Sequence, residues 1–185
     1  NIEGWFIPWQ HLIQFVVPDF FGNPATLNYF GIWNYAEFIG YIGVVAWFLA
    51  FCSILTRRRE VLFFIAIIVI ALLFAMPTSI AKIPFDLSIP FLSSAQPTRL
   101  IAAISFSLSI LSAFGFNYLI EDKKINRRVM IMIGIMFITI FSAAWLIAFG
   151  KIDLKIATEN LLIMRRNLVF PSGILAIGMI LVLGI

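Results

Sequence analysis

The chain carries five apolar runs of near-bilayer length, and no charged residue lies deep inside any of them. They cover residues 37–55, 61–77, 100–120, 129–150 and 168–185. A helix needs roughly 20 apolar residues to cross a hydrocarbon core. In lipid, a continuous segment of this kind satisfies its backbone only as a helix. The pattern therefore predicts an all-α, polytopic integral membrane protein with about five transmembrane helices. Composition agrees: 62% of the 185 residues are hydrophobic and 12% charged, about half the charged share of ordinary soluble domains. A soluble fold, a disordered chain and a disulfide scaffold are excluded on those figures.

The links between the runs set a topology. Arg57, Arg58 and Arg59 fill one short link, and Lys123, Lys124, Arg127 and Arg128 fill another. The other six of the thirteen cations are spread over much longer stretches. The positive-inside rule places the two dense links in the cytoplasm and residues 1–36 outside. The net charge of +4 then reflects topology, and no nucleic-acid partner is expected. Residues 1–36 read as an outer interfacial segment, with Trp5 and Trp9 as belt residues, and residues 37–185 as the transmembrane domain. Residues 77–97, with four prolines, read as an interfacial or re-entrant loop. A short amphipathic helix is expected from Ala157, ahead of the last span. The chain begins at Asn1 and stops inside an apolar run, the expected appearance of an internal fragment.

Polar chemistry concentrates at one membrane boundary. Asn23, Asn28, Tyr29, Asn34, Tyr35, Glu37 and Tyr41 crowd around the breakers Pro18-Asp19 and Gly22-Asn23-Pro24. Asn34 followed by Glu37 has capping-box spacing and is expected to open the first span. Amides and phenols around a turn also suit hydroxyl-rich ligands, so the cluster is a candidate sugar- or head-group-binding surface. Arg99 stands just after Pro97-Thr98 at the outer start of the third span. Its guanidinium has the geometry to grip a phosphate, or to snorkel to phospholipid head groups. Ser105, Ser109 and Ser112 share a helix face, the usual mark of helix packing. Lone His11 and lone Cys52 cannot build a zinc site, and no cofactor or metal is expected.

The runs PDFFGNP and NYFGIWNYAEFIGYIGVVAWFLA, with the later IPFLSSAQPTRLIAAISFSLSILSAFGFNYL, resemble the YfhO family of bacterial membrane proteins over roughly residues 18–119. The resemblance implies kinship with GT-C-type glycosyltransferases, which move a sugar from a polyprenyl-phosphate donor to a cell-envelope acceptor on the outer face. It implies that an early outer-loop carboxylate, which would precede Asn1, acts as general base, so neither Asp19 nor Glu37 inherits that role. Arg99 would hold the carrier phosphate and the Asn/Tyr cluster would shape the sugar or acceptor pocket. Membrane lipids and a polyprenyl-phosphate-linked sugar are the expected partners, and the bacterial plasma membrane is the expected location. A transporter or flippase for envelope precursors, or an assembly subunit, is the alternative.

Overall fold

A computed structural model describes residues 2–32, 34–121, 126–152 and 154–183. Trp33, Lys123 and Lys124 lie outside the described residues. The architecture is all-helical, with no strand among the described residues: α1 (Val44–Cys52), α2 (Arg59–Ala75), α3 (Ser79–Asp86), α4 (Ile101–Glu121), α5 (Arg127–Ala148) and α6 (Thr158–Leu183). Short 3₁₀ turns fill much of residues 2–37. Three helical segments are long and apolar enough to cross a membrane: Pro97–Glu121, Arg127–Ala148 and Thr158–Leu181. The pair α2 and α3, bent by 62°, supplies a fourth if it forms one span. These are the helices of a multi-pass membrane protein.

Local chemistry fixes the boundaries. Met76 precedes Pro77, is forced into extended backbone at ψ 159°, and so ends α2. Thr78 then caps α3, its Oγ1 accepting from Ala81 N at 3.1 Å. Asn126 caps α5 through Val129 N, and Gly150, at φ 67°, closes off its far end.

Two sequence expectations are corrected. The first span does not open at an Asn34–Glu37 capping box. Asn34 makes no side-chain cap bond, and a single 3₁₀ turn at Tyr35–Glu37 is followed by irregular backbone to Gly43. Gly43 sits at φ 101°, which does not propagate a right-handed helix, so α1 starts at Val44. With the following 3₁₀ turn it forms an apolar unit, Val44–Thr56, shorter than a span. Second, the short amphipathic helix expected from Ala157 is not separate. It runs without a break into the last span as α6, with Pro171 inside, because no breaker stands between Thr158 and Val169.

α1 is the hub, packing against α4, α5 and α6. At Gly115 the backbone of α4 comes so near that an added Cβ would lie 1.8 Å from the Leu49 carbonyl oxygen. Ser112 Oγ donates to Ala46 O across the same contact at 2.7 Å. Ser112 thus packs as expected, whereas Ser109 is exposed and bonds to Ser105 O of its own helix. The N-terminal segment joins this bundle. Phe15 and Ile7 are buried in one core with α2 and α4, and Val17 and Phe20 in another with α5 and α6. Ile7 N donates to Ala75 O at 2.8 Å, and Trp47 Nε1 to Phe15 O at 2.8 Å. Trp5 and Trp9 stay exposed. Residues 2–43, the α2–α4 connection and the α5–α6 connection thus gather at one end of the bundle, which we call the cap end.

Candidate functional site

The structure divides the sequence-predicted site residues into two groups at the cap end. The first is a closed polar knot. Tyr35 OH donates to Asp19 Oδ1 at 2.5 Å, while Asn23 Nδ2 donates to the Tyr35 oxygen at 2.8 Å and to Asp19 Oδ1 at 3.1 Å. Asn167 Nδ2, from α6, donates to Asp19 O at 2.6 Å and ties the knot to the bundle. Asn23 Oδ1 accepts from Ala25 N, so the same side chain caps the Pro24–Thr26 turn. Asn28 Oδ1 accepts from Asn23 N and Thr26 Oγ1, both at 2.8 Å. Gly22, at φ 82°, lets the Asn28 carbonyl approach to where a Cβ would stand. Tyr29 lies edge-on to Tyr35, ring centres 5.3 Å apart, and its hydroxyl bonds to Ile32 O.

These groups satisfy one another. Burial, then the hydrogen bond to Asp19 and its charge, hold the Tyr35 phenol well above the usual tyrosine value. Burial also raises the Tyr29 phenol. The turn residues read from sequence as ligand groups thus spend most of their hydrogen bonds on folding the loop. Tyr41 packs, half-buried, against the core.

The lone His11 is buried between Phe21 and Phe38, with ring centres at 4.6 and 5.0 Å. Ile32 N donates to its Nε2 at 3.4 Å, so the ring proton resides on Nδ1 and is directed to Gln14 Oε1. Gln14 Nε2 in turn donates to Pro18 O at 3.0 Å. Burial lowers the His11 pKa, against a smaller opposing effect of Gln14, and keeps the ring neutral.

The second group is Glu37 and Arg99, with Gln96 and Thr98, which the sequence reading did not single out. Glu37 Oε2 accepts from Thr98 Oγ1 at 2.7 Å and from Gln96 Nε2. Thr98 is fully buried. One carboxylate thereby ties the segment before α1 to the turn that begins α4. The Gln96-Pro97-Thr98 signal was legible only as a helix start, because its partner lies some sixty residues away in sequence.

Beside this tie opens an apolar cavity of about 790 Å³, within the range of small-molecule sites. Its walls come from Trp5, from Ile67, Ile70 and Phe74 of α2, from Phe85 of α3, and from Leu100 at the start of α4. Ser94, Gln96 and Arg99 are its polar residues. The Arg99 side chain is exposed and has no hydrogen-bond or ion-pair partner among the described residues. The adjacent Arg165 and Arg166 of α6 differ from Arg99. Arg165 Nε donates to Leu161 O and its guanidinium lies 5.7 Å from the Phe149 ring centre, whereas Arg166 is exposed. Among the described residues, no three His, Cys, Asp or Glu side chains gather to hold a metal ion. No family model, curated protein or solved structure matches the chain.

Proposed function

We propose that the chain is part of a GT-C-like transferase, akin to the YfhO family, that moves a sugar from a polyprenyl-phosphate donor to an acceptor of the bacterial cell envelope. The observation carrying this reading is an unpartnered guanidinium, Arg99, on the rim of an apolar cavity of about 790 Å³. A long apolar chain ending in a phosphate has that same division of character. The chain fills the cavity and the phosphate takes a charge-assisted bond from Arg99. In the transfer, an acceptor hydroxyl oxygen bonds to the anomeric carbon as the bond to the carrier phosphate breaks. The phosphate leaves with the electron pair, its charge met by Arg99. The hydroxyl proton passes to a base outside these residues. Glu37 holds the Arg99 turn in place through Gln96 and Thr98. Asn23, Asn28, Tyr29, Asn34, Tyr35 and Tyr41 shape the acceptor side.

In this reading the cap end faces outward and the arginine link at residues 57–59 is cytoplasmic, following the positive-inside rule. Five crossings result when the α2–α3 pair counts as one and Val44–Thr56, with its irregular lead, as another.

A second reading, translocation of the lipid-linked precursor, gains from the 62° break between α2 and α3, since interrupted helices line many transport sites. It loses from the lack of any charged residue between Ile101 and Ile120 or between Val129 and Ala148. The test is sugar transfer by the full-length protein in proteoliposomes carrying a polyprenyl-phosphate sugar. Arg99→Ala should lower turnover by about 10²-fold. Unchanged turnover in both Arg99→Ala and Asn28→Ala would remove the site, and donor crossing without transfer would favour translocation.

A further inference from the structure

The loop between α3 and α4 has two faces. Leu92, Ser94, Ala95 and Gln96 line the cavity. Phe91 and Leu87 are not among its lining residues and are 90% and 68% exposed. Phe91 is held out by its backbone, at φ 66°, a left-handed conformation that costs a bulky residue energy. Ser94 Oγ donates to Phe91 O, and Ser93 N to Ile89 O, so the tip is a built turn. An apolar tip displayed in this way is unfavourable in water.

The neighbouring wall shows what surrounds it. Ile70 lines the cavity, and its neighbours Val69 and Leu73 on α2 are 50% and 38% exposed without lining it. The cavity wall therefore continues directly into the apolar surface of a candidate spanning helix. It runs down α2 to Ile67, eight residues before Ala75. At 1.5 Å per residue that is about 12 Å below the end of the helix, a depth within half a hydrocarbon core.

We infer that residues 87–94 form a lip inserted among lipid acyl chains, and that the cavity opens sideways into the bilayer, so that its occupant arrives from lipid and not from water. This rests on the membrane-spanning part of the proposed function and is independent of sugar transfer. Phe91, Leu87 and Ile70 meet acyl chains, while Arg99 stays at head-group level, where a phosphate is in reach.

Spin labels test it in the full-length protein, reconstituted in phosphatidylcholine–phosphatidylglycerol vesicles. Cys52, which is buried, and any further cysteine of the full-length protein are replaced by serine in the background. Labels at Phe91→Cys, on the tip, and at Ala95→Cys, in the exposed cavity wall, should collide several-fold more with dissolved oxygen than with a water-soluble nickel chelate. A tip label reached by nickel, or one shielded from both relaxants by protein, overturns the insertion. A cavity label reached by nickel overturns the sideways opening. Labels in lipid with no sugar transfer would leave this inference standing and remove the transferase. Labels in water with full transfer would do the reverse.

Discussion

Gly115→Ala is the sharpest test of the packing described here, because two well-measured effects oppose each other. In an unhindered helix, alanine for glycine is favourable by about 1 kcal/mol. At Gly115 the new methyl would stand 1.8 Å from the Leu49 carbonyl oxygen and 3.1 Å from Ser53 N, whereas ordinary contact begins near 3.4 Å. Both neighbours are backbone and cannot rotate aside. The axes of α1 and α4 must part by more than 1 Å, an overpacking cost of about 1–3 kcal/mol. The Ser112–Ala46 hydrogen bond, 2.7 Å long and nearly one turn away, is stretched with them, and such bonds between membrane helices contribute about 0.6 kcal/mol. A net loss of roughly 1–2 kcal/mol remains after the helix-propensity gain. Denaturation of the full-length protein in mixed detergent, followed by helical circular dichroism, measures it. Stability equal to or above the parent would refute the close approach of α1 and α4.

Gly173→Ala is the matched control. Nothing stands within 4 Å of its added methyl, so the variant should be neutral or gain up to about 1 kcal/mol in the same assay. Tyr35 titrates above its unfolded value, so the native state keeps a proton that the unfolded chain loses. Stability should fall as the pH rises beyond about 10, and Tyr35→Phe should flatten that slope in alkaline denaturation. His11 is shifted the other way. Its contribution is present above pH 6.5 and lost as the pH falls toward its lower folded value, and His11→Leu should abolish that acid-side slope even if overall stability drops. Asn167→Ala removes the tie to Asp19 O and should cost about 1 kcal/mol, read as a lower detergent midpoint.

The long helices were legible because their signal is local. Residues 100–120 and 129–150 are predominantly apolar and carry no charge, and the observed Ile101–Glu121 and Arg127–Ala148 follow them closely. The site was less legible because its decisive contacts are not local. Asn34 and Glu37 have capping spacing, yet a carboxylate is indifferent to which donors surround it. The buried Thr98 hydroxyl and the Gln96 amide outcompete the local backbone once α4 is in place. The turn at Pro18–Pro24 was recognised, but nothing in it reveals that Asn167 reaches Asp19 from α6. Nor does periodicity announce the cavity, which is lined from both sides of the Pro77 break, by Phe74 of α2 and Phe85 of α3.

The shortness of α1 follows from the same geometry. Irregular backbone at membrane depth is tolerated only where protein covers it. The lead into α1 meets that condition: Phe38 is buried, and Gly40 lies so near the Phe15 ring that a Cβ would come within 2.3 Å of it. The N-terminal segment, by folding into the bundle, supplies the cover that a full-length helix would have made unnecessary. In return, the segment before α1 brings Glu37 to Thr98 and fixes the turn that carries Arg99. A helix running unbroken from residue 37 would turn Glu37 with its own spiral and leave the α4 turn untied. An incomplete first helix is thus what joins the two halves of the cap end, and disrupting Gly40 with a larger side chain should loosen the Arg99 turn before it unfolds the bundle.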